Sequence, residues 1–156
     1  MAGRRMLFAT LVVFLAVSTS TQIAARQERG DHELFQTSDR CVACHNTLST
    51  SAGEDISFGT AWRATMMANS ARDPYWQAGV RRETIDHPES QAAIEEECSK
   101  CHMPMASVQS RFEGREGEVF AHLDFDSDAR IDKLAQDGVS CSLCHQIRPD
   151  LLGTRE

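Results

Sequence analysis

The sequence predicts a mainly α fold with extensive irregular loops and little sheet. Three observations carry this expectation. Helix start signals and apolar residues at helical spacing recur between residues 59 and 138. Beyond residue 25 the large apolar side chains are few and mostly isolated. A core built from them alone would be small, and small domains usually need a disulfide, a metal or another staple. Finally, one five-residue pattern occurs three times, as CVACH at residues 41–45, CSKCH at 98–102 and CSLCH at 141–145. Its copies start 57 and then 43 residues apart with no low-complexity linker between them, so the chain reads as one domain built around a repeated site.

Residues 1–25 have the layout of an export signal: Arg4 and Arg5, an apolar run over 6–17, then small and polar residues. The run is shorter than the ~20 apolar residues of a spanning helix. Cleavage after Ala25, or after Ser20, is therefore expected in preference to retention as an anchor. The domain over residues 26–156 is then periplasmic or otherwise exported, with no stable membrane span. Removing Arg4 and Arg5 from 16 basic residues leaves 14 against 23 acidic ones, a formal charge of −9. Such a surface repels nucleic acid and suits basic or neutral partners.

Residues 59–85 read as two helices. The first is expected over residues 61–70, with Trp62, Met66 and Asn69 at helical spacing. Asp73 before Pro74 is an N-cap followed by proline at the first helical position, so the second helix starts there and runs towards Thr84. Pro88 marks a third start, and the acidic run after it leads into Cys98 with its carboxylates read as a solvated face. Residues 112–125, with Gly114 and Gly117, read as a loop or short hairpin. Ser127 or Asp128 caps a short helix through Ile131 and Leu134 that ends at Gly138. Each copy of the repeated pattern thus falls at or just beyond a helix or turn.

Six cysteines in an exported chain suggest up to three disulfides. Here all six fall in pairs separated by two intervening residues, and histidine follows every pair, which a disulfide framework does not require. Zinc uses such pairs, yet a closed site takes four ligands and each copy offers three. Covalent haem accounts for every position. Two thiols spaced i and i+3 meet the two vinyl groups along one porphyrin edge, and histidine at i+4 reaches the iron as proximal ligand. The sequence therefore predicts three c-type haems, attached through Cys41 and Cys44, Cys98 and Cys101, and Cys141 and Cys144. His45, His102 and His145 are the proximal iron ligands. Three macrocycles in about 131 residues supply the apolar bulk the side chains lack, giving an architecture organised around stacked covalent haems.

Three histidines remain, His32, His87 and His122, and as distal ligands they would make all three haems bis-histidine, low-spin and low in potential. Methionine is the competing donor, because a thioether raises the potential. Met66 and Met67 are the candidates, and the alternative for both is packing on a porphyrin face. Met103 adjoins His102 and is badly placed to reach the opposite face of the same haem.

The run W-x-x-T-x-M over residues 62–67, the following ARDPYW, and the later CSKCHMP and DGVSCSLCHQI resemble the multihaem c-type cytochrome superfamily, which includes tetrahaem electron carriers and octahaem oxidoreductases of nitrogen and sulfur metabolism. The resemblance covers roughly residues 35–148. Members often carry a distal histidine after tryptophan and a small hydroxyl residue; Met67 stands where that histidine would fall, so the resemblance implies Met67 as an axial ligand, with Met66 its neighbour. Members usually hold four or more haems, whereas only eleven residues follow His145. The chain is thus expected to be the N-terminal part of something longer, with further haem domains of the same chain as partners.

Electron transfer between redox protein partners is the expected function. The alternative is a domain of a multihaem oxidoreductase, acting on a small nitrogen or sulfur compound at a haem with an open axial position. Neither a variant C-x-x-C-K motif nor a tyrosine beyond Tyr75 supports that alternative, and no catalytic residue is assigned. Because haem completes the core, the chain produced without haem maturation is expected to be largely unstructured. Far-ultraviolet circular dichroism during heating checks this; a cooperative, native-like transition would contradict it.

Overall fold

The computed structural model describes residues 32–148 and residue 150. These residues are mainly helical: α1 (Ser38–Val42), α2 (Gly59–Arg63), α3 (Pro74–Asp86), α4 (Gln91–His102), α5 (Pro104–Phe112), α6 (Arg130–Gln136) and α7 (Cys141–His145). Short 3₁₀ turns lie at Pro88–Ser90 and Phe120–His122. Sheet is reduced, among the described residues, to one isolated antiparallel bridge between Ser49 and Asp55. The mainly α, loop-rich class read from the sequence is the class the chain adopts. Contacts divide the chain into two units, Met1–Glu33 and Leu34–Glu156. The signal-like segment at residues 1–25 lies outside the described residues, and every helix above belongs to the second unit. No helix among the described residues is long and apolar enough to cross a membrane.

Helix α3 begins as its capping pair requires: Asp73 accepts a hydrogen bond from the Tyr75 amide at 2.9 Å, with Pro74 at the first helical position. It packs on α4, and α5 packs on both α4 and α6. Helix α5 is the deepest element, with Pro104, Met105, Ala106, Ser107, Gln109 and Ser110 buried. Around it gather Phe35, Ala71, Val80, Met103, Val119, Leu134 and Ala135, a core as small as the sparse apolar sequence implies. The sequence reading had not anticipated α5. Its start signal was Pro104, directly after the second Cys-x-x-Cys-His copy.

Several elements differ from expectation for local reasons. The helix expected over residues 61–70 stops at Arg63. Thr65 donates its hydroxyl to the Trp62 carbonyl at 2.7 Å, and Asn69 donates to the Arg63 and Thr65 carbonyls at 2.9 Å each, so turns replace the helical ladder. Helix α6 starts after Ala129 instead of Ser127 or Asp128; Ser127 accepts from the Ala129 amide at 3.1 Å and donates to Asp132. Residues 112–125, read as a loop or short hairpin, take the loop form, and carboxylates of α4 fasten them. Glu95, only 8% exposed, accepts from the Val119 amide at 2.9 Å and the Phe120 amide at 3.1 Å. Glu96 accepts from the Gly117 amide and pairs with Arg111 at 3.0 Å. The acidic run before Cys98 is therefore only partly a solvated face: two of its carboxylates are structural acceptors.

Burial alone would push the Glu95 carboxyl up, but hydrogen bonds from Gln91, Val119 and Phe120, with the charge of Arg81, bring it below its ordinary value. A folded pKa below the unfolded one means stabilisation that is complete above the unfolded pKa and is lost as pH falls through the folded one. Glu95→Ala is expected to cost about 1–3 kcal/mol at neutral pH, because two buried amides lose their acceptor. Measured by denaturant unfolding, the gap to the parent should shrink as pH drops below about 4.

Candidate functional site

All three Cys-x-x-Cys-His copies adopt one helical turn. The first begins in α1 and continues past it, with the His45 amide donating to the Cys41 carbonyl at 3.0 Å. The second is the C-terminal turn of α4, and the third is α7 itself. Positions i, i+3 and i+4 of a helical turn share a face, so each histidine lies on the same side as its two cysteines. Burial repeats as well: Cys41, Cys98 and Cys141 are half-buried, while Cys44, Cys101 and Cys144 are exposed, and all six thiols are free. Burial, followed by the neighbouring Cys141, pushes the Cys41 thiol above its ordinary value. Burial, then Cys101, does the same for Cys98.

The first and third copies come together. Cys41, His45, Cys141 and His145 line one mainly apolar cavity of about 660 Å³, with Leu34 and Phe58. Phe58 lies 5.3 Å from the His45 ring, tilted by 41°. Polar bonds between distant residues hold this arrangement. Asp137, just after α6, caps the first turn of α1, accepting from the Ser38 amide at 2.7 Å and the Ser38 hydroxyl at 2.6 Å. Ser142 donates its hydroxyl to the Gln36 carbonyl at 2.6 Å, and Gln146 donates to the Leu34 carbonyl at 3.0 Å.

The second copy opens elsewhere. His102 lines a cavity of about 690 Å³ with Met66, Met67, Asn69, Ser70 and Arg72. Its Nδ1 is 2.9 Å from the Ser70 carbonyl oxygen. A carbonyl can only accept, so Nδ1 carries the proton and Nε2 keeps a free lone pair, the tautomer a metal-binding imidazole needs. Ser70 Oγ returns a bond to the His102 carbonyl at 2.9 Å. Trp76 stacks on the imidazole with centroids 4.2 Å apart and planes within 7°. Met66 and Met67, 85% and 52% exposed, stand at this cavity. Their loop is pinned by the Val139 amide, which donates to the Met67 carbonyl at 3.0 Å.

The spare histidines are dispersed. His32 is exposed in the Met1–Glu33 unit, and His87 is exposed where α3 ends. His122 is buried, its Nδ1 2.6 Å from Asp132, while Gln136 holds the carbonyls of His122 and Asp124 at 3.1 and 2.7 Å. Burial would raise the Asp132 carboxyl, but hydrogen bonds from Ser127 and His122 bring it below its ordinary value. None of these three histidines lines the two cavities beside the repeated motifs. Met103 is fully buried in the core. Among the described residues, no three His, Cys, Asp or Glu side chains form a ready-made metal site. Sequence reasoning missed Ser70, Trp76 and Asp137. Trp76 belongs to the quoted ARDPYW run, whereas Ser70 acts through its backbone and Asp137 across 99 positions, so neither leaves a local signal.

Gly138 holds the approach between this loop and the third copy. Its φ is +66°, and a Cβ there would lie 2.5 Å from the Met67 carbonyl oxygen and 2.8 Å from Ser70 Oγ. Gly114, at φ +76°, has open space around it. Gly138→Ala is therefore expected to lower stability by more than Gly114→Ala, which carries the left-handed strain of about 1–2 kcal/mol alone. Paired denaturation curves of the two variants check the order. Comparison with family models, with curated proteins and with solved structures finds no match to this chain.

Proposed function

We propose that the chain is an exported multihaem c-type cytochrome of the superfamily its motifs resemble, and that it carries electrons between redox proteins. The observation that carries this reading is the common geometry of the three Cys-x-x-Cys-His copies, each a single helical turn with both thiols and the imidazole on one face. Two further features fit haem. Mainly apolar cavities lie beside His45, His102 and His145, and the Ser70 carbonyl leaves His102 Nε2 free as a donor.

In this reading Cys41 and Cys44, Cys98 and Cys101, and Cys141 and Cys144 would each hold one haem through two thioether bonds, and His45, His102 and His145 would bind the irons. The bound haems supply reversible one-electron chemistry, and the protein sets orientation, burial and ligand basicity. Leu34 and Phe58 contribute apolar lining to the cavity shared by the first and third copies. Met67, or Met66 beside it, lines the same cavity as His102 and would be the thioether donor at hand for a haem held there. The acidic surface favours a basic docking partner and makes association faster at low salt.

The test is expression with c-type maturation, followed by intact mass and haem quantification. Three haems per polypeptide are expected, with all six cysteines refractory to alkylation, and the double variant Cys98→Ser, Cys101→Ser should hold two. A chain that emerges with free thiols and no haem overturns the proposal. Electron paramagnetic resonance then separates the two functions: three low-spin haems support the carrier. A high-spin component that binds carbon monoxide or nitrite supports the oxidoreductase alternative.

A further inference from the structure

The geometry points to Trp76 as a positioning residue that, together with the Ser70 carbonyl, sets the plane and proton of His102 before and after haem attachment. This inference rests on the reading of His102 as an iron ligand. An imidazole on a helix has two torsions to fix. The hydrogen bond from Nδ1 to the Ser70 carbonyl, at 2.9 Å, fixes the direction of the ring edge. The Trp76 stack, at 4.2 Å and 7°, blocks rotation of the ring about that direction. The reciprocal bond from Ser70 Oγ to the His102 carbonyl, at 2.9 Å, ties the two backbones together, so edge and plane share one frame.

The elements make this frame firm. Trp76 is in the first turn of α3, whose start is fixed by Asp73 and Pro74, and it is packed against the core. Ser70 belongs to the turn that Asn69 and Thr65 hold by their side chains, and its hydroxyl faces Gly138. His45 is treated differently, meeting Phe58 at 5.3 Å and 41° in a contact that leaves the ring plane less constrained. A carbonyl acceptor on Nδ1 makes the imidazole a stronger donor and favours the oxidised iron, while the ring plane governs the magnetic anisotropy of a low-spin centre.

The experiment compares the haem-matured parent with Trp76→Leu, Trp76→Phe and Ser70→Ala by electron paramagnetic resonance and redox titration, after counting haems in each. With three haems bound, Trp76→Leu is expected to move the low-spin g values and potential of one haem while the other two stay unchanged. Trp76→Phe, which keeps an aromatic face, should return that haem most of the way to the parent. Ser70→Ala, which frees the His102 backbone, should perturb the same haem. If Trp76→Leu does not accumulate, Ser70→Ala still has to move the signals of a single haem, and Trp76→Phe to leave that haem close to the parent. Unchanged signals in three-haem Trp76→Leu, or in three-haem Ser70→Ala, overturn the inference while leaving the cytochrome reading intact; a parent without haem removes the reading itself.

Discussion

Every buried backbone N–H and C=O needs a partner, and in a chain of short helices and long loops much of that demand falls on side chains. This constraint organises the molecule. Glu95 satisfies two amides of the loop before α6, and Gln136 satisfies two carbonyls around the 3₁₀ turn at Phe120–His122. Arg72 donates to the Gln136 carbonyl at 3.1 Å, so the loop before α3 is joined to the end of α6. Asp137 caps a helix from 99 positions away. Where apolar side chains are few, these bonds replace packing as the means by which loops are fixed. Their loss leaves buried groups unpaired, which costs more than a surface contact would.

Legibility in the sequence follows the range of the interactions. The capping pair Asp73 and Pro74 acts within three residues, and α3 starts where it says. Pro88 likewise opens a 3₁₀ turn that leads into the helix ending at His102. The Cys-x-x-Cys-His pattern is equally local, and its spacing alone implies the one-turn face found in all three copies. What sequence reading lost were residues whose partners lie far along the chain. Glu95 looked like one carboxylate among several in an acidic run, and its two amide partners are 24 and 25 positions away. The helix over residues 61–70 failed for the opposite reason: Asn69 was counted for periodicity, although its side chain and that of Thr65 compete for the carbonyls a helix would use.

The three repeated turns are alike in themselves and unlike in their surroundings. Two face each other across a common cavity, and the third stands at another, with methionines at its mouth and a tryptophan against its histidine. The link between the two regions is short. The Met66–Met67 loop receives the Val139 amide just before α7, and Ser70 in the same stretch is bonded to His102. A displacement at either region is therefore transmitted through a handful of backbone contacts. Identical five-residue turns thus sit in quite different dielectric and packing environments, so chemically equal side chains need not behave alike.

The polar clasp between residues 34–38 and 137–146 also has a temporal meaning. Its bonds span from 99 to 112 positions, so it forms only after nearly all of the domain has been made. Polypeptides emerge with their N-terminal segments first. Cys41 and Cys44 accordingly spend the interval before Asp137 and Gln146 arrive on a strand of chain with no lid over it, open to whatever must reach their sulfurs. The same contacts that close the cavity thus join the two ends of the domain last, so the first turn exists before the third can close over it.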